Sequence, residues 1–217
     1  MKTKAILLAM ALTLTLTIVA SNAQCNNKKI PPKDDPREAV WYIDDTWIVI
    51  ASWTNDTENL YDIIIRRKGR DKKEILIRKC ALSFKSKVGN TIVVNTNSAF
   101  FEAYKVYDLS TGALVYDVPY AASGMGDIVP DKDGNGFTFY LDNMAGMPML
   151  EYDDETKKWL PVEGHPVPPN LYNNDLKATK AEALRQQAVT VVALQQAHVD
   201  LTHKTTEKLP TFKWFLY

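Results

Sequence analysis

Tyr104-Lys105-Val106-Tyr107-Asp108-Leu109-Ser110-Thr111-Gly112-Ala113-Leu114-Val115-Tyr116 is two short β-prone runs around one turn. Aromatic and β-branched residues on both sides suit strands, Gly112 suits a left-handed turn position, and the Asp108 carboxylate can cap the turn. The pattern extends outward in both directions. Strands are expected at residues 40–43 and 47–50, broken by Asp44-Asp45, then at 61–67, 74–84, 91–95, 100–109 and 113–120. Further on, 136–141, 149–152 and 159–162 read the same way. Turn chemistry separates them at Lys68-Gly69-Arg70-Asp71, Val88-Gly89-Asn90 and Asp133-Gly134-Asn135-Gly136. Strands recurring about every ten residues without helices between them predict an antiparallel all-β domain.

The 104–116 stretch resembles the hairpin of a β-propeller blade, in which an aromatic-Asp-x-x-Thr-Gly turn joins two strands. A second, imperfect copy runs from Leu150 through Asp153, Thr156 and Lys157 to Trp159, with lysine in place of the glycine. Asp108 and Asp153 stand 45 residues apart (153 − 108), close to a blade period. Residues 39–163 supply two or three blades, where a closed ring needs at least about four. The expected fold is therefore mainly β, with antiparallel propeller-like or sandwich sheets and one C-terminal helix.

Residues 1–23 read as a removable leader. Lys2 and Lys4 precede an apolar run from Ala5 to Ala20, and Ser21-Asn22-Ala23 supplies the small residues of a cleavage site. Spanning a membrane needs about 20 predominantly apolar residues, more than this run provides. A periplasmic or secreted chain with no membrane span after leader removal is expected. Taking Lys2 and Lys4 from the 26 basic residues leaves 24 against 26 acidic ones, a balance that argues against nucleic-acid binding. Export would place Cys25 and Cys80 in an oxidising compartment, where a bridge between them is expected.

A polar arm occupies 24–38, the β domain 39–163, a Pro-rich linker 164–174, and a helix with a terminal strand 175–217. The helix is expected from Leu176 to His203 with an N-cap at Asn174-Asp175, although Val189-Thr190-Val191-Val192 is β-branched. Phe212, Trp214, Phe215, Leu216 and Tyr217 are too apolar for a loose tail, so a docked strand is expected there. Trp41, Trp47 and Trp53 are read as core residues.

Asp131, Asp133, Asn135, the Phe137 carbonyl and Asp142 follow the spacing of a calcium loop. A glycine-rich β-turn decorated with acids explains the same residues, and no cofactor is expected. No serine-nucleophile elbow, His-Glu-x-x-His motif or phosphate loop is present, so the expectation is a binder and not an enzyme. Its contact surface is placed on loops: Tyr120, Ser123, Met125 and Asp127 in one connection, and Asp133, Asn135 and Phe137 in the next. Arg66, Arg67 and Arg70, in a run of six basic residues out of eight, would add electrostatic steering.

In outline the chain is similar to periplasmic immunity proteins of bacterial type VI secretion systems. The residues that carry this are the leader Met1 to Ala23, the two cysteines and the Asp108–Gly112 and Asp131–Gly136 hairpins. The resemblance implies an inhibitor that blocks a protein partner such as a secreted toxin or hydrolase. The alternative expectation is a hydrolase, or a calcium-assisted carbohydrate-binding module, in the same compartment.

Overall fold

A computed structural model describes residues 38–53, 60–69, 74–97, 102–142 and 146–217. The leader, Cys25, Arg70 and nearly all of the polar arm lie outside the described residues. Among the described residues the fold is mainly β, in three antiparallel sheets with a single α-helix near the C-terminus. The first sheet is a meander of β1 (Glu38–Ile43), β2 (Trp47–Trp53), β3 (Tyr61–Arg67) and β4 (Glu74–Ala81). The second repeats that meander with β5 (Ser83–Val88), β6 (Thr91–Asn95), β7 (Tyr104–Asp108) and β8 (Leu114–Asp117). In the third, β9 (Val129–Pro130), β10 (Gly136–Tyr140), β11 (Met149–Asp153) and β12 (Lys158–Pro161) assemble around a long hairpin of β13 (Thr190–Asp200) and β14 (Thr205–Leu216). The order is β12-β11-β13-β10-β9, with β14 on the opposite edge of β13.

The second sheet lies between the other two, and its sequence shows why. Successive strand residues point to opposite faces. Ile92, Val94 and Tyr107 pack with Trp47, Val49, Ile63 and Ile65 of the first sheet. Val93, Tyr104 and Val106 pack with Phe137, Phe139, Ala197 and Val199 of the third. Both faces of β6 are thus covered, and Ile92-Val93-Val94 reads as an unbroken apolar run and not as an alternation.

The expected strand at 74–84 is two strands. β4 ends at Ala81 and β5 starts at Ser83, so the chain leaves the first sheet for the second at Leu82. Of the three tryptophans, Trp47 is buried, whereas Trp53 at the strand end is 41% exposed and is not core. Trp41 occupies a β-bulge between Val40 and Tyr42, which turns it toward the same cluster as Trp47.

The C-terminal region departs furthest from expectation. Helix α1 spans Asn174–Gln186, capped by Asn173, whose Oδ1 accepts the Leu176 N–H at 3.0 Å. The helix ends there, with Gln187 in the left-handed conformation. Residues expected to continue it form β13, because β-branched Thr190, Val191 and Val192 find strand partners on both sides. Leu176 and Ala183 pack on Leu150, Val191, Ala193 and Trp214, whereas Leu184 is exposed. The Pro-rich segment is not a spacer: Val167 and Leu171 join that cluster, and the Trp214 indole N–H donates to Leu171 O at 3.0 Å. Among the described residues no helix is long and apolar enough to cross a membrane.

One turn design recurs three times. Asp108 Oδ1 accepts the N–H groups of Ser110 and Thr111, Asp153 Oδ1 those of Glu155 and Thr156, and Asp200 Oδ1 those of Thr202 and His203. The fifth residue is left-handed each time: Gly112 at φ 71°, Lys157 at 56° and Lys204 at 55°. The second copy therefore keeps the turn although lysine replaces glycine. A third copy, at Asp200, lies inside the stretch that reads as helix.

Candidate functional site

Tight turns from all three sheets gather at one end of the stack. Lys68 N–H donates to Thr46 O at 2.7 Å, and Lys87 pairs with Asp44 at 3.3 Å across the first two sheets. Leu201 N–H donates to Asn135 O at 2.8 Å, and the backbones of Gly89 and Gly134 touch between the second and third sheets. Arg66, Arg67, Asp131, Asp133 and Asn135 belong to this end. Arg66 is engaged by Glu74 at 2.5 Å, and the Arg67 guanidinium lies 5.9 Å from the centre of the Trp47 ring.

Asp133 accepts the backbone and side-chain N–H groups of Asn135 at 3.0 and 3.2 Å, which hold its carboxyl below the usual carboxylate range. Asp131 Oδ2 lies 2.8 Å from His198 Nε2, tying the turn to β13. Phe137 is fully buried among Val88, Val93 and Phe139, so its side chain cannot anchor a partner. The five residues that follow the calcium-loop spacing are not all brought together. Strand β10 carries the chain straight away from the turn, which sets Asp142 roughly 20 Å beyond Gly136. Among the described residues no group of three or more His, Cys, Asp or Glu side chains is placed to hold a metal ion.

The other candidate loop lies at the opposite end of β10. Ala122 exchanges both backbone hydrogen bonds with Glu102, at 2.9 and 2.8 Å. Ser123 N–H donates to Tyr140 O at 2.8 Å, and Asp142 N–H donates to Ala121 O at 3.0 Å. The segment is therefore stitched to the second sheet on one side and to the third on the other. Ser123 is buried, and its Oγ accepts the Met125 N–H at 3.2 Å, closing a local turn. Gly126 lies against Tyr140, where a Cβ would stand 2.1 Å from the ring. What remains outward is Met125, 38% exposed, with Asp127 exposed beside it. Tyr120 is half-buried beneath the Lys208 ammonium, 5.1 Å from its ring centre.

Behind this loop is a polar cluster that the sequence did not disclose. Tyr104 donates to Glu102 Oε2 at 2.6 Å, and Lys85 pairs with the other oxygen of the same carboxylate. Burial first, and then the Glu102 charge, push the Tyr104 hydroxyl far above its ordinary pKa, so it stays a donor. Glu102 thus bonds the loop through its backbone, while its side chain ties Tyr104 and Lys85 together behind it. Lys85 lies 17 residues before Glu102 and on another strand, so no local spacing signals the contact (102 − 85). The Asp131–His198 pair escapes a sequence reading for the same reason.

The expected partner-binding residues therefore divide between two ends of the molecule and do not form one surface. Cys80 lies on β4, half-buried, with its thiol pushed up to about 12 by burial and then by the Asp62 charge. Its expected bridge involves Cys25, outside the described residues. The chain matches no protein-family model, no curated protein and no solved structure.

Proposed function

We propose that this chain is an exported protein-binding module, an inhibitor or immunity protein that blocks a partner such as a secreted toxin, and that it engages the partner through the 121–127 loop. The observation that carries the reading is the way the loop is held. Backbone bonds from Glu102, Tyr140 and Asp142 fix it to two sheets, while Met125 projects outward. A loop that is already ordered loses little entropy on binding, and a thioether adapts to an irregular cleft. Tyr120 and Asp127 flank Met125 and complete the contact surface. Arg66 and Arg67, at the other end, act at most on the rate of encounter.

The test is the substitution Met125→Asp, read by two measurements. Capture of the partner from a periplasmic extract should fall at least about tenfold, a loss of about 1.4 kcal/mol or more. The thermal midpoint should stay unchanged, because Met125 is already exposed. Undiminished capture by the variant would remove this loop from the contact surface.

A further inference from the structure

The first sheet carries aliphatic residues on both sides. Strands β2, β3 and β4 contain Ile48-Val49-Ile50, Ile63-Ile64-Ile65 and Ile75-Leu76-Ile77, runs typical of strands covered on both faces. Val49, Ile63, Ile65, Ile75 and Ile77 pack toward the second sheet. On the other side, Val40, Ile50, Ile64 and Leu76 pair directly across all four strands in one row. Ile43 and Ile48 pair beside them. No other sheet and no helix of the described residues packs on this side; Ile50 is buried at 5% exposure between Val40 and Ile64, which are half-buried, and Leu76 and Ile43 are 49% and 42% exposed.

We propose that this face is an interface between two copies of the chain, packed sheet against sheet about a twofold axis that runs along the aliphatic row. Register and charge both fit a second copy. Along β3, Asp62 and Arg66 lie two residues on either side of Ile64; along β4, Arg78 and Glu74 lie two residues on either side of Leu76. Rotation about the row stacks Ile50, Ile64 and Leu76 on their own copies. It also brings Arg66 opposite the partner's Asp62, and Glu74 opposite the partner's Arg78. By symmetry each opposition occurs twice. Within one chain Arg66 and Glu74 already neutralise each other at 2.5 Å, so the face offers no net charge to attract a strongly charged protein.

The size of the face sets the strength of the contact. Four strands about 4.8 Å apart and roughly six residues long give a footprint of about 400 Å² on each copy. Two such faces give about 800 Å² in total, below the about 1,200 Å² of stable specific interfaces, so the contact is that of a weak, transient dimer. This surface excludes Met125, so it stands or falls separately from the proposed partner-binding loop.

Sedimentation velocity of the purified chain from about 1 to 300 µM should show a weak monomer–dimer equilibrium within that range. Leu76→Glu should weaken the dimer at least tenfold and leave the thermal midpoint unchanged, since that side chain is already half exposed. Glu74→Arg and Arg78→Glu should each weaken it, and the double variant should restore it. A monomer throughout the concentration range, or a dimer that Leu76→Glu leaves intact, would overturn the proposal.

Discussion

Gly89 and Gly134 meet backbone to backbone, and their contact closes the turn end of the second sheet onto that of the third. A Cβ at Gly89 would stand 2.4 Å from Gly134 O, and one at Gly134 would stand 2.8 Å from Gly89 Cα. Both residues are left-handed, at φ 54° and 73°. The packing of the 131–136 tip itself therefore requires glycine at 134.

Gly134→Ala and Gly89→Ala should each cost at least about 2 kcal/mol, from a backbone collision added to left-handed strain. Gly164→Ala is the control, because its φ is 78° and nothing lies within 4 Å of the place its methyl group would take. Urea unfolding compares the three. A Gly134→Ala midpoint no lower than that of Gly164→Ala would refute close packing of the two turns.

The recurring turn predicts a gain. Lys157 and Lys204 hold the left-handed position that Gly112 fills in the first copy. Lys157→Gly and Lys204→Gly should each stabilise the chain by about 0.5–1 kcal/mol, since relief of the side-chain clash exceeds the added freedom of the unfolded chain. Asp153→Ala should destabilise it by removing the acceptor for two turn N–H groups. Thermal midpoints moving down in both lysine variants would show that the turns are not equivalent.

Asp44 predicts part of the acid limb. Partial burial alone would raise its pKa, but the Trp47 and Thr46 N–H groups, the Tyr42 hydroxyl and the Lys87 ammonium outweigh burial and hold it at about 2. A depressed carboxyl stabilises the folded state above its unfolded pKa near 3.9 and loses that contribution as pH falls through about 2. Asp44→Asn should therefore lower stability at neutral pH and flatten its pH dependence between about 4 and 2. A parallel displacement of the whole stability curve across that window would contradict the assignment.

Cys80 should be chemically quiet. If it is a thiol with a pKa of about 12, the thiolate fraction at pH 8 is about 1 in 10,000. Iodoacetamide should label it in the native chain far more slowly than after unfolding, and mass spectrometry follows the difference. If Cys80 is instead bridged to Cys25, unfolding alone leaves it unlabelled and a reductant is needed.

The all-β class and most strands were legible because they rest on local chemistry: alternation, β-branching and turn residues lie within a few positions of each other. The Asp108 hairpin could be read from five consecutive residues, and its echo at Asp153 survived the loss of the glycine. The final apolar run was rightly expected to dock as a strand, and β14 extends back from it to Thr205.

What only the tertiary structure decided are contacts between residues far apart in the chain. Residues 190–200 satisfy a helical spacing of apolar positions about as well as a strand. Pairing with β10, β11 and β14 chose the strand, because both edges of its backbone found partners. The same pairing set the two candidate loops at opposite ends of β10, although they are consecutive in sequence. Glu102 beneath the 121–127 loop, His198 against Asp131, and Gly89 against Gly134 are likewise products of sheet stacking. Local residue chemistry specifies strands and turns; which faces meet depends on burial summed over the whole stack, and no short stretch of sequence contains that sum.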